Sequence, residues 1–306
     1  MTGAALRDRL AGLLGAGFPG PNFRKVTVQG RRQFGDWVLD DLLFETAGGV
    51  PVPALFLRPP DGQTPVPALV YCHAHGNRYT MGREELIEGR PSLQGPYAAD
   101  LEALGVAALC MDMPCFGTRQ LPGESARAKA ALWRGETLFG QMLAEQMAGL
   151  SFLADHPVVD RNRLGALGFS MGSTLAWWLA AMDERVRAAS ALCSFADLEK
   201  LVDLGEHDGH GTYMTVPGLL PVARSGQIAG LTAPRALQIC VGLNDWSTPE
   251  GAFNRGRQDL EAAYGGRQGL EFHIEPDAAH EETPAMRAAV LRFLKRQLVD
   301  GRGRDS

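Results

Sequence analysis

The segment Arg163-Leu-Gly-Ala-Leu-Gly-Phe-Ser-Met-Gly-Ser173 decides the fold of this 306-residue chain. Its apolar first half predicts a short buried strand over residues 163–169, and the apolar run after Ser170 predicts a helix over residues 171–182. Between them lies a Gly-x-Ser-x-Gly pattern, in which a strand turns into a helix within about one residue. The two glycines permit that turn because they carry no Cβ atom.

Ser170 is the candidate nucleophile of this pattern. A serine in such a strained turn projects its hydroxyl above the sheet, and the helix behind it directs free N–H groups and its positive dipole end toward the same place. The N–H of Met171 is therefore the first predicted donor for an oxyanion. Because a serine hydroxyl is a poor nucleophile by itself, the interpretation requires a histidine base and a carboxylate elsewhere in the chain.

Composition restricts the class of protein. The chain is 45% hydrophobic and 21% charged, which is typical of a globular protein and favours one large α/β domain over residues 1–306. A net charge of −5 without a run of Lys or Arg predicts neither a nucleic acid nor a membrane partner. Charged residues near the start, and the lack of about 18 consecutive apolar residues, favour a cytoplasmic location. The five cysteines are odd in number and predict reduced, buried thiols.

The order of predicted elements indicates an α/β fold. Leucines at helical spacing predict a helix within residues 1–20, and three strands between residues 25 and 57 predict an antiparallel hairpin region. A long amphipathic helix is expected over residues 126–156. From residue 67 onward, strands and helices alternate, which predicts a mostly parallel central sheet with helices on both faces.

A polar, glycine-rich excursion over residues 197–230 is too long for an ordinary connection between a strand and a helix. We expect it to form a small cap or lid over the sheet. His207 and His210 lie in this excursion, where they are better suited to capping helices or lining a substrate pocket than to binding a metal. The segment Asp300–Ser306 is the candidate for a disordered tail.

Two loops supply candidate partners for Ser170. Asp245 follows the predicted strand over residues 236–241, and His280 follows the predicted strand over residues 270–274. Both loops come at the carboxyl ends of strands, where a parallel sheet gathers its functional side chains. The chain order of serine, acid and histidine also matches the order expected for a nucleophile in a Gly-x-Ser-x-Gly turn, called the elbow below.

Alternatives to both partners stay open. Asp245 could instead cap the helix that follows it, and His280 could be a solvated loop histidine. Asp197, which follows the preceding strand, is the second candidate for the acid, and Asp277 is a third. We favour Asp245 and His280, since His280 is the histidine that follows the last predicted strand.

Together these motifs resemble those of the α/β-hydrolase superfamily, and within it the chain resembles dienelactone hydrolase-like esterases and acetyl esterases. The resemblance spans roughly residues 50–298 and includes the segment His73-Ala-His-Gly76. It implies the α/β-hydrolase fold, with Ser170 as nucleophile, Asp245 as orienting carboxylate and His280 as general base. Dienelactone hydrolase itself has a cysteine nucleophile, so lactone specificity is not expected to carry over.

The resemblance also implies the position of the second oxyanion donor. It lies in the loop after the predicted strand over residues 67–72, at the backbone of Gly76 and Asn77. His73 and His75 in this loop could chelate zinc, but the sequence offers no third ligand, so no metal is expected. The candidate residues of the substrate pocket are His75, Cys115, His207, His210 and Trp246.

The sequence therefore favours a serine hydrolase that cleaves a carboxylic ester, with a short acyl or acetyl group, through an acyl-enzyme on Ser170. Two alternatives remain. One is a serine peptidase or amidase, because the same constellation cleaves amides. The other is a ligand-binding relative that lacks catalysis, because a fold does not guarantee a function. The expected partner is a small-molecule ester, no cofactor is expected, and a homo-oligomer is left open.

Overall fold

A nine-stranded sheet forms the centre of the computed structural model, which describes residues 2–301. Most of the predicted tail, residues 302–306, lies outside the described residues. The strands are β1 (Lys25–Phe34), β2 (Trp37–Glu45), β3 (Pro51–Arg58), β4 (Val66–Cys72), β5 (Ala107–Met111), β6 (Val159–Phe169), β7 (Val186–Leu192), β8 (Ala236–Gly242) and β9 (Leu270–Glu275).

Ten α-helices connect and cover these strands within residues 2–301. They are α1 (Gly3–Leu14), α2 (Glu85–Glu88), α3 (Ala98–Leu104), α4 (Glu124–Trp133), α5 (Leu138–Asp155), α6 (Met171–Met182), α7 (Leu198–Leu204), α8 (Ser225–Ala229), α9 (Glu250–Tyr264) and α10 (Pro284–Leu294). A π-helical turn, Lys295–Val299, continues α10. Within the described part of the chain, no helix combines the length and the apolar character needed to cross a membrane.

The strand order is β1-β2-β3-β5-β4-β6-β7-β8-β9. Strands β1, β2, β3 and β5 pair antiparallel, whereas β5, β4 and β6 to β9 pair parallel, which confirms the mostly parallel sheet and the opening hairpin region. Helix α3 connects β4 to β5 in one direction along the sheet, and α6 connects β6 to β7 in the other. Because such crossovers are right-handed, these helices cover opposite faces.

Burial along the strands explains their apolar sequences. Every residue of β5 and β8 is buried, and neither strand alternates between apolar and polar residues. The one polar side chain in these two strands is Gln238, whose amide oxygen accepts the Ser190 hydroxyl at 2.8 Å. Strand β1 is the exposed edge of the antiparallel part, and most of its residues face solvent. The core lies along the parallel strands and extends to β2 and β3. The carboxyl ends of the parallel strands carry the candidate site residues.

The predicted long helix over residues 126–156 is wrong in one respect, since two helices occupy this region. Helix α4 ends at Trp133, and Gly135 then adopts a left-handed φ of 75°, which ends the helix. The Thr137 side chain caps the next helix by accepting the N–H of Gly140 at 2.9 Å. The Thr137 hydroxyl also donates to the carbonyl of Leu14, so this break fixes the end of α1 as well.

The turn between β6 and α6 is packed against the backbone of β4. A Cβ atom on Gly172 would lie 1.8 Å from the carbonyl oxygen of Cys72, and one on Gly168 would lie 2.2 Å from the carbonyl oxygen of Gly172. Backbone atoms cannot move away as a flexible side chain could. Both glycines are therefore required by close packing, in agreement with the role predicted for them.

We expect Gly172→Ala to destabilise the protein by about 3 kcal/mol or more, because the new methyl group overlaps the β4 backbone. Gly12→Ala is the matched control: its Cβ would meet nothing within 4 Å on α1. In a helix interior this control should be neutral or stabilising by about 0.5–1 kcal/mol. Urea unfolding of both variants measures the difference. Equal free energies of unfolding for the two variants would show that a methyl group at residue 172 fits without displacing the β4 backbone.

Candidate active site

Ser170 lies between β6 and α6 in a strained backbone conformation. Its φ of 57° and ψ of −119° are rarely adopted by a residue with a side chain. The N–H of Ser170 donates to the carbonyl of Leu192 at 2.8 Å, which ties the turn to the end of β7. Met171 then begins α6, so its N–H is one of the free donors at the start of that helix.

His280 connects Ser170 to Asp245. The Nε2 atom of His280 lies 2.9 Å from the Ser170 hydroxyl oxygen, and Nδ1 lies 2.9 and 3.0 Å from the two carboxylate oxygens of Asp245. A carboxylate accepts, so Nδ1 carries the proton and Nε2 is free to accept from the serine. Asp245 is only 2% exposed, whereas the His280 side chain is 20% exposed and reaches the cleft.

Ser247 is a member of this arrangement that sequence analysis missed. Both its N–H and its hydroxyl are 2.8 Å from one carboxylate oxygen of Asp245, and its hydroxyl is also 3.1 Å from Nδ1 of His280. From the sequence, the alternative role of Asp245 was a helix cap, and no partner for its carboxylate was predicted. The signal was present, because an Asp with Ser two residues later is typical of an Asx turn.

The competing carboxylates lie elsewhere. Asp197 is fully buried and caps α7 by accepting the N–H of Lys200 at 3.0 Å. Asp277 is exposed to solvent on the His280 loop. Among the carboxylates of residues 2–301, Asp245 is the one hydrogen-bonded to His280.

The loop after β4, residues 73–79, borders the same cleft and is called the β4 loop below. Gly76 and Asn77 both have a left-handed φ of 52°. The N–H of Asn77 donates to Nδ1 of His75 at 3.0 Å, so Asn77 can serve an oxyanion only by giving up this hydrogen bond. For the N–H of Gly76, the described structure records no hydrogen-bond partner.

His73 has a structural environment. The N–H of Met113 donates to its Nε2 at 3.1 Å, so its Nδ1 is the donor to the carbonyl of Ala74, also at 3.1 Å. Complete burial lowers the pKa of His73 to about 4, so the ring is neutral at physiological pH. Across residues 2–301, no group of three or more metal-ligating side chains is found.

Ser170 opens into a cleft of about 100 Å³, called the Ser170 cleft below. Trp246 is 54% exposed at this cleft, and its ring lies 5.7 Å from the rings of both His280 and His210. A second cavity of about 370 Å³ lies within the excursion and shares His210 and Gly211 with the cleft. The residues lining the Ser170 cleft are His75, Gly76, Asn77, Ser170, Ser194, Gly209, His210, Gly211, Tyr213, Trp246, Ser247 and His280.

Two predicted pocket residues do not line the Ser170 cleft. Cys115 is buried in the core, and this burial raises the pKa of its thiol to about 11. His207 borders only the larger cavity of the excursion. In contrast, Ser194, just after β7, and Tyr213, in the excursion, line the cleft but were missed. No sequence pattern indicates which residues of so long a connection face the neighbouring strand ends.

The fold defines a class of protein, the α/β-hydrolase superfamily. Residues 38–216 match the acetyl xylan esterase (AXE1) family model. The chain therefore belongs to the acetyl xylan esterase family and is a serine hydrolase of carboxylic esters. Residues 135–300 also match the model of the prolyl oligopeptidase family.

Similar proteins agree with this assignment. The chain is 32% identical over 283 residues to YtaP of Bacillus subtilis (strain 168), described as a hydrolase, covering 91% of this chain and 95% of that protein. Acetyl xylan esterase 1 from Thermoanaerobacterium sp. JW/SL YS485 superimposes with a TM-score of 0.66 at 19% identity, covering 96% and 93% of the two chains. A glucuronoyl esterase from Solibacter usitatus superimposes with a TM-score of 0.67 at 15% identity, covering 96% and 91%.

We expect Asp245→Asn to lower kcat by about 10³-fold to 10⁴-fold, because an amide in this position favours the wrong tautomer of His280. Asp197→Asn is the matched control, since it is an isosteric change of a buried Asp that retains a good helix cap. Its kcat should stay within about 2-fold of wild type. Steady-state hydrolysis of an aryl acetate measures both. Loss of activity in the control, with retention in Asp245→Asn, would reverse the assignment of the acid.

Proposed function

We propose that Ser170, His280 and Asp245 form a catalytic triad that hydrolyses short acyl esters, above all acetyl esters. The observation that carries this proposal is the continuous hydrogen-bonded path from the Ser170 hydroxyl through His280 to Asp245, with distances of 2.9 Å at each step. Ser247 supports the same path by holding the Asp245 carboxylate. The likeness to dienelactone hydrolases remains an expectation from the motifs.

The proposed reaction has two halves. The Ser170 oxygen attacks the ester carbonyl while His280 takes the hydroxyl proton, and the bond to the alcohol then breaks as His280 returns that proton to the leaving oxygen. Water attacks the acyl-enzyme by the same route and releases the acid. In both halves, negative charge on the carbonyl oxygen is stabilised by the N–H groups of Met171 and Gly76.

The size of the Ser170 cleft supports a short acyl group. A volume of about 100 Å³ is well below the several hundred Å³ of a pocket for a drug-sized ligand. The larger neighbouring cavity, of about 370 Å³, offers room for a bulkier alcohol portion. Two similar structures are named as acetyl xylan esterases, which favours an acetylated sugar as the natural substrate.

A cytoplasmic location and a small-molecule substrate are part of the proposal. All five cysteines are free and buried, which is typical of a protein in a reducing compartment. The net charge of −5 does not favour binding to nucleic acid or to an anionic membrane.

Ser170→Ala should lower kcat for an aryl acetate by at least about 10³-fold, because the nucleophile is lost, while the circular dichroism spectrum stays unchanged. A fluorophosphonate probe should label wild type at Ser170 and leave the variant unlabelled. Turnover close to wild type in Ser170→Ala would reject the triad. Absence of labelling and turnover in wild type would favour a ligand-binding protein without catalysis.

The acyl group should be limited by the volume of the cleft. For p-nitrophenyl esters, we expect kcat/KM to fall by about 10-fold or more between acetyl and hexanoyl, since a longer chain does not fit without displacing cleft residues. An aminoacyl p-nitroanilide tests the amidase alternative in the same assay. A preference for hexanoyl would contradict the proposed acyl site, and a preference for the anilide would contradict ester hydrolysis as the main reaction.

A further inference from the structure

Glu124, at the start of α4, is a buried carboxylate that the proposed reaction does not use. Its side chain is only 5% exposed, and its two oxygens accept four hydrogen bonds. One oxygen accepts from Nε2 of His75 at 2.6 Å and from the Tyr79 hydroxyl at 2.9 Å, both on the β4 loop. The other accepts from the Thr212 hydroxyl at 2.9 Å and the Tyr213 N–H at 2.8 Å, both in the excursion.

These contacts join three segments that are distant in sequence. Glu124 is separated by 49 residues from His75 and by 89 residues from Tyr213. Both of these partners line the Ser170 cleft. The Glu124 carboxylate therefore helps to position two walls of the Ser170 cleft.

The hydrogen bonds of His75 define its tautomer. A backbone N–H can only donate, so the bond from the Asn77 N–H requires an unprotonated Nδ1 on His75. The ring proton is then on Nε2, from which it is donated to Glu124. Glu124 thereby selects the tautomer of His75 that can hold the Asn77 peptide.

The surroundings of His75 leave its ring little freedom. The ring stacks on Tyr213 with centroids 5.7 Å apart and meets the edge of Phe116 at 5.0 Å. Burial alone would raise the pKa of Glu124, but the hydrogen bonds from His75 and Tyr213 outweigh it and lower the pKa to about 2. The acceptor is thus an anion throughout the physiological range.

We propose that Glu124 is a positioning residue of the esterase site: through His75 it fixes the β4 loop, including the peptides of Gly76 and Asn77, against Ser170. This inference rests on the proposed function, because its effect is expected on the step that develops an oxyanion. A shift of about 1 Å in a group at a reacting centre can cost a factor of about 10² in rate. The excursion bonds to the other oxygen keep the carboxylate itself in place.

Glu124→Gln separates this role from simple filling of space. The amide has the same shape as the carboxylate, but its nitrogen donates and does not accept. If the nitrogen faces His75, the ring must change tautomer and lose the Asn77 N–H. If it faces Tyr213, two N–H donors oppose each other there. Either orientation disturbs a wall of the Ser170 cleft without creating a cavity.

The kinetic test compares Glu124→Gln with Glu145→Gln. The Glu145 carboxylate pairs with Arg119 at 2.6 Å and does not touch the β4 loop or the excursion, so its variant controls for the loss of an ion-paired carboxylate. With an aryl acetate, we expect Glu124→Gln to lower kcat by at least about 10-fold with KM within about 2-fold. Glu145→Gln should keep kcat within about 2-fold of wild type. Equal kcat in the two variants, or a change confined to KM, would overturn the proposal.

A second measurement does not depend on whether Glu124→Gln folds. In wild type at pH 8, ¹⁵N-resolved imidazole spectra should show His75 as the neutral tautomer with its proton on Nε2, assigned by loss of the signal in His75→Phe. A proton on Nδ1 would overturn the proposal even if Glu124→Gln is inactive. Failure of the proposed function is distinguishable, because it would appear as unchanged turnover in Ser170→Ala.

Discussion

The strained backbone at Ser170 is the constraint on which the site depends. A residue with a side chain is held at a φ of 57° because β6 ends and α6 begins on either side of it, with no intervening loop. Two contacts enforce this arrangement: Gly172 meets the carbonyl of Cys72, and the Ser170 N–H donates to Leu192. The cost of such a conformation, on the order of 1–3 kcal/mol, is offset by the buried sheet on which it rests. The serine hydroxyl therefore has a fixed direction before any substrate binds.

The topology of the sheet explains why distant residues meet that hydroxyl. Strands β4, β6, β8 and β9 are parallel, so the loops after them emerge at one edge of the sheet. Ser170 follows β6, Asp245 follows β8 and His280 follows β9, while the β4 loop supplies the facing wall. The excursion after β7 closes the remaining side with Gly209, His210, Gly211 and Tyr213. Each wall of the cleft is thus formed by the segment that follows the end of a strand.

Much of this arrangement could be predicted from sequence because it is local. Short apolar runs and the positions of glycines predict the elbow and the strand ends, and with them the order of Ser170, Asp245 and His280. Contacts across the chain were not predictable in this way. Asp197 and Asp245 both follow strand ends, and only the folded path shows that one caps α7 while the other meets His280. The break between α4 and α5 was missed because the apolar periodicity continues on both sides of Gly135.

Glu85 and Glu282 are, like Glu124, buried carboxylates that hold loops at the edge of the sheet. Glu85 accepts the N–H of Ala74 at 3.0 Å and the Tyr71 hydroxyl at 3.0 Å, which anchors the start of the β4 loop. Glu282, two residues beyond His280, accepts from Arg287 at 2.7 Å and from the N–H of Gln94 at 3.0 Å. Burying a carboxylate is unfavourable unless it is fully hydrogen-bonded, so each one constrains all of its partners together. A loop that must leave some backbone N–H groups free for a substrate cannot be held in place by pairing all of its backbone, as a strand is. Hydrogen bonds to buried carboxylates hold such a loop in place instead.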